Sequence, residues 1–157
     1  MEKGRSIEIT AISAEGLRIA NRPIKKNAFM IVRTDSQNYR STSIDRDGGS
    51  YPLWNEKFQL ALPPNARSIT VEVHCKRITG LKKVGSVNIP ISDIIEDYVP
   101  ACQIHFLSYR LLERDGGPTG IVNLSIRMVG PEYIQQPKPP LVGEKCSDGI
   151  AIGIPLP

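Results

Sequence analysis

The chain has 157 residues, 40% hydrophobic and 23% charged, which is ordinary for a soluble globular protein and enough for one domain with a tail. A net charge of +4 and a pI of about 9.0 permit an anionic partner without requiring one. No apolar run approaches the roughly 20 residues of a membrane-spanning helix, and Met-Glu-Lys-Gly-Arg-Ser at the start lacks the apolar stretch of a signal peptide.

Strand signals then recur with turn residues between them. Ser6-Ile-Glu-Ile-Thr-Ala-Ile alternates cleanly. Ala28-Phe-Met-Ile-Val-Arg is nearly continuous apolar, as a strand covered on both faces is. Gln37-Asn-Tyr-Arg-Ser-Thr-Ser-Ile is polar and predicts a more exposed strand. Trp54, Phe58, Leu60 and Leu62 share one side of the next, and Ile69, Val71, Val73 and Cys75 one side of the fifth. Val87, Ile89 and Ile91 follow, with Ser92-Asp-Ile-Ile set to cap a helical turn. Leu107, Tyr109 and Leu111 come next, and Val122, Leu124, Ile126 and Met128 last. Eight strands without a long helical pattern predict an all-β, antiparallel Greek-key sandwich. From Pro131 onward prolines interrupt any alternation, so residues 1–130 are expected to form the domain and 131–157 a flexible tail.

Several motifs resemble those of C2 domains, the calcium- and lipid-binding β-sandwiches. Ala14-Glu-Gly-Leu resembles the start of many of them, and Tyr51-Pro-Leu-Trp-Asn-Glu their Asn-Pro-x-Trp-Asn-Glu element. The segment Val73-His-Cys-Lys-Arg-Ile-Thr-Gly-Leu-Lys-Lys-Val-Gly matches their third loop without a gap. The segments Ile12-Ser-Ala-Glu-Gly-Leu, Lys26-Asn-Ala-Phe, Arg33-Thr-Asp-Ser, Asp47-Gly-Gly-Ser-Tyr-Pro and His105-Phe-Leu-Ser-Tyr-Arg-Leu are similar to those of the plant BONZAI-associated proteins. That resemblance implies a C2-like sandwich of type II topology and a copine-like protein partner. It also implies a role in restraining plant defence, including the hypersensitive response and programmed cell death.

The resemblance further assigns five positions to calcium: two on the first loop, near Asn21 and at Asn27, and three on the third, at His74, Lys76 and Lys82. None is acidic, whereas calcium takes about six to eight oxygens, mostly from carboxylates. Asp45 and Asp47 are the weak metal candidates that remain; before Gly48-Gly49 they also read as turn residues. No cofactor is expected.

In such a sandwich the connections 17–27, 45–52, 76–83 and 113–120 lie at one end. They hold Arg18, Arg22, Lys25, Lys26, Arg46, Lys76, Arg77, Lys82, Lys83 and Arg114 against Asp45, Asp47, Glu113 and Asp115. Ten minus four leaves +6 at this end, against +4 for the chain. The expected lipid contact is Arg22, Lys25, Lys26, Lys76, Arg77, Lys82 and Lys83, with Ile78 and Leu81 at the tip of the third loop. The expected partners are an anionic phospholipid surface and a copine-like protein, in a cytoplasmic molecule peripheral at the plasma membrane. The alternative is a protein-interaction module whose basic loops are incidental.

Other chemistries lack their residue sets. His74-Cys75 and Cys102-x-x-His105 lie at opposite ends of the expected sandwich, and neither pair completes four zinc ligands. The remaining cysteine, Cys146, stands apart, and 3 scattered cysteines form no disulfide framework. No nucleophile or phosphate-loop motif appears, so neither an enzyme nor a small-molecule substrate is expected. The 6% aromatic content offers no stacking platform for nucleic acid.

Overall fold

The computed structural model describes residues 5–94 and 104–129. The expected tail, Cys102 and Cys146 lie outside them. Ten strands follow in chain order: β1 (Arg5–Glu15), β2 (Arg18–Ile19), β3 (Arg22–Pro23), β4 (Ala28–Arg33), β5 (Tyr39–Ser41), β6 (Leu53–Leu62), β7 (Ser68–Arg77), β8 (Gly80–Pro90), β9 (Ile104–Leu112) and β10 (Pro118–Val129). Among the described residues one 3-10 turn, Ile91–Asp93, stands near the expected place, but Ser92 lies inside it and does not cap it: the N-cap is Pro90, with no side-chain capping bond.

The eight longer strands make the expected antiparallel sandwich. One layer runs β5-β4-β7-β8 and the other β9-β10-β1-β6, joined along one edge by the pair Ser86 and Leu112. Alternation sets which residues face the space between them. Ile7, Ile9 and Ala11 of β1 meet Ile69, Val71 and Val73 of β7, Met30 and Val32 of β4, and Leu124 and Ile126 of β10, all fully buried. Burying side chains of this kind stabilises by about 1.5–3 kcal/mol each before the entropy of ordering them is counted.

Three departures from the expectations shape the functional end. The polar strand is three residues, Tyr39–Ser41, rather than the full Gln37-to-Ile44 run. The Asp35 carboxylate turns the chain just before it, accepting the N–H groups of Gln37 and Asn38 at 2.8 Å each. The first connection contains a miniature hairpin, β2 with β3, which alternation over two residues a side cannot signal. Its turn, Ala20-Asn21, has both φ angles positive, at 53° and 68°, as a two-residue type I′ turn requires. The third connection is no open loop from Lys76 to Lys83. β7 runs on to Arg77 and β8 begins at Gly80, leaving only Ile78 and Thr79 to turn the chain.

The Trp-Asn-Glu element ties these pieces to the core. Trp54 is buried, and its Nε1 donates to the carbonyl of Ala28 at 3.1 Å. Asn55 takes a φ of 51° where the ladder between β1 and β6 slips past a bulge. Glu56 then accepts from the N–H of Ser43 at 3.1 Å and fixes the exit of β5.

Candidate anion-binding end

Backbone hydrogen bonds bring three connections together, and Asn27 stands at the junction. Its φ of 67° lies in the left-handed region that asparagine tolerates better than most residues. Its N–H donates to Asp45 O, and its carbonyl accepts from Lys76 N, both at 2.9 Å. Its side-chain amide donates to Lys76 O at 3.3 Å. The residue standing at a calcium position thus buckles the first, second and third connections. The fourth connection leans on the first through Thr119, whose hydroxyl accepts from Arg18 N at 3.1 Å and donates to Arg18 O.

Between these pieces opens a groove of about 1200 Å³. Arg22, Lys25 and Lys26 line it from the first connection, Arg46 from the second, and Lys76 and Arg77 from the third hairpin. Ile19, Pro23, Ile24, Ile44 and Ile78 supply its apolar surface, and among the described residues no acidic side chain lines it. Ile78 projects wholly into solvent at the turn. Arg46, which the sequence offers only as part of the charge of this end, proves to be part of the wall. Between two aspartates in the sequence it reads as turn decoration.

The expected contact residues therefore divide. Arg22, Lys25, Lys26, Lys76, Arg77 and Ile78 share the groove. Leu81, Lys82 and Lys83 do not line it; they lie on the returning strand, paired with Lys76, Cys75 and His74. Leu81 is thus on the flank of the hairpin rather than at its tip.

Two more of the positions that the resemblance assigns to calcium, Asn21 and His74, lie outside the groove's lining. Asn21 is exposed in the β2–β3 turn. His74 points away from the groove: its ring stacks on Phe29, with centroids 5.6 Å apart, and its Nε2 lies 3.0 Å from Glu72. Arg33 reaches the same carboxylate at 3.3 Å. Burial raises the Glu72 pKa, but the bonds from His74 and Arg33 and the charges of Arg33 and Lys83 outweigh it and leave the group below its ordinary value. Cys75 is buried on the opposite side of the strand from His74, so the two do not form a joint metal site.

Asp45 behaves as a turn acceptor. One oxygen takes the N–H groups of Asp47 and Gly48 at 2.8 Å each, the other that of Leu53 at 2.7 Å. Partial burial raises its pKa, and these three backbone donors more than reverse the effect, so it stays charged below the usual carboxylate range. Among the described residues no three His, Cys, Asp or Glu side chains converge as a metal site would need.

Comparison with known proteins agrees with this architecture. The C2 domain family matches residues 5–105, and the chain belongs to that family. It is 43% identical over 133 residues to BON1-associated protein 2 of Arabidopsis thaliana, spanning 82% of this chain and 63% of that protein. It is 29% identical over 100 residues to Protein SRC2 homolog of the same plant, across 59% of this chain and 31% of that one. The chain therefore spans less than two thirds of the length of either relative. Among solved structures, a C2 domain of plant Extended Synaptotagmin 1 superposes with a TM-score of 0.67 at 16% identity, covering 83% of this chain and 98% of that one. The C2 domain-containing protein from a putative elicitor-responsive gene gives 0.67 at 18% identity, covering 87% and 93%. At such identities these structures speak to the fold alone.

Proposed function

We propose that the chain is a binding module, not an enzyme, that associates with anionic phospholipid independently of calcium through its basic groove. The observation that supports this most is the groove itself, walled among the described residues by six cations and no acid, at the end where the family's members carry calcium aspartates. Each lysine or arginine near an anionic leaflet contributes about 1 kcal/mol, so three or four engaged at once give weak, reversible attachment. Ile78 at the turn adds apolar area if it enters the interface. In this reading the protein is cytoplasmic and peripheral at the plasma membrane. It acts with a copine-like partner, in keeping with the name of its Arabidopsis relative, and restrains defence and cell-death signalling.

Vesicle sedimentation in chelator tests the lipid arm. Binding to phosphatidylserine vesicles should appear without calcium and weaken with salt, since exposed charges are screened over about 8 Å at physiological ionic strength. Lys26→Glu with Arg77→Glu should lower affinity at least about tenfold, from the charges lost and the repulsion added. Lys57→Glu with Arg67→Glu makes the same charge change away from the groove and should cost far less. Equal losses in the two pairs would return the charge to mere surface decoration.

The alternative, a protein-interaction module with no significant lipid affinity, draws support from one feature. Phe106 is 65% exposed on the outer face of β9, away from the groove. Wild-type protein that ignores anionic vesicles yet loses its partner on Phe106→Ser would favour it.

A further inference from the structure

A second groove, of about 710 Å³, runs alongside the basic one, and Ile44, Arg46 and Lys76 form the wall they share. Its other apolar surfaces are Phe29 and Leu81. Phe29 is held against the His74 ring at an interplanar angle of 19°, and Leu81 is 63% exposed. The hydroxyls along the far wall already serve the fold. Ser41 Oγ donates to Thr42 O at 3.2 Å, and Thr42 Oγ1 donates to Ser43 O at 2.8 Å. The Ser43 hydroxyl bonds Glu56. What remains is an apolar trough bordered by two cations, with no acidic residue lining it among the described residues. That is the chemistry of an anionic amphiphile rather than of a headgroup alone.

We infer that this trough takes one acyl chain of an anionic membrane phospholipid, whose phosphate sits at Arg46 and Lys76. The inference rests on the membrane-facing reading above and adds a defined lipid-chain site to it. Charge at the shared wall favours an anionic lipid over a zwitterionic one. Depth is compatible as well. Leu81 pairs with Lys76, one pair behind Arg77 and Gly80. At about 3.3 Å per strand residue it lies within roughly 7 Å of the turn. Interfacial side chains reach roughly 5–10 Å into the headgroup and acyl boundary.

Dihexanoyl phosphatidic acid, soluble as a monomer, is the probe, titrated calorimetrically beside glycerol phosphate at one ionic strength. The wild-type chain should bind the lipid at least about tenfold more tightly, because several methylenes leave water. Leu81→Asn should erase most of that difference and leave glycerol phosphate binding intact; Leu81 is exposed, so the fold is not at stake. Arg46→Ala should weaken both ligands. Equal wild-type affinities, or an unaltered preference in Leu81→Asn, would overturn the chain site even where vesicles still bind. If the monomer binds but phosphatidic acid vesicles do not, the membrane source is wrong, and with it the lipid arm of the proposed function.

Discussion

Asp45 shows how one side chain can be read two ways from sequence and one way from geometry. Three backbone N–H groups fill its oxygens, so its work is to shape the second connection. Asp45→Ala should cost about 1–2 kcal/mol, as loss of a capping carboxylate does, measured by denaturant titration. Its lowered pKa gives a sign: the contribution is complete above the unfolded value of 3.8 and is lost as pH falls through the lower folded value. Glu72 acts in the same direction, with its loss setting in below 4.5. Trp54 is the largest single commitment of the core at this end. Trp54→Ala should cost about 3–5 kcal/mol. Trp54→Phe, which keeps most of the packing and drops the bond to Ala28 O, should cost about 1 kcal/mol from that bond and little more. Parity with Leu60 and Leu62 places Trp54 inside from sequence alone. The Phe29–His74 stack was not legible, because it depends on the register between β4 and β7.

At the scale of elements, long strands announce themselves and short ones do not. The run Ile69, Val71, Val73, Cys75 reads as a buried face and is one. The β2–β3 hairpin has two residues a side, and its turn begins with an alanine at a φ of 53° where asparagine or glycine is the usual choice. Ala20→Asn should therefore stabilise the fold by about 0.5–1 kcal/mol, visible as a raised melting temperature. The link between β9 and the 3-10 turn is set by Tyr109, whose hydroxyl donates to Asp93. Burial, then the bond to Asp93 and its charge, push the phenol up to about 12. Folding thus favours the protonated phenol. The stability it lends is complete below the ordinary value of 10.0 and is lost as pH rises toward about 12. Tyr109→Phe should lower the melting temperature across the neutral range and flatten that alkaline limb in pH-dependent melting.

For the whole molecule, the eight longer strands pair with one another within the described residues, the last of them ending at Val129. A chain ending at Gly130 is therefore expected to fold with the cooperativity of the full one, by denaturant titration. The gathering of basic residues from three connections was legible from spacing, since chain order alone assigns alternate connections to one end. The division of the basic residues between the groove and its flank was not, because it follows from the hairpin that replaces a loop. That hairpin also bears on whether calcium control can be restored. In an antiparallel ribbon, cross-strand partners project together and successive pairs project oppositely. Lys76 shares its side with Leu81, while Lys82 shares the reverse side with Cys75. Carboxylates written at 74, 76 and 82 would stand back to back across the ribbon, unable to close on a common ion unless the ladder came apart. Triple substitution by aspartate should thus yield a chain with weaker lipid affinity and no calcium response, its attachment still governed by leaflet composition and salt rather than by a messenger ion.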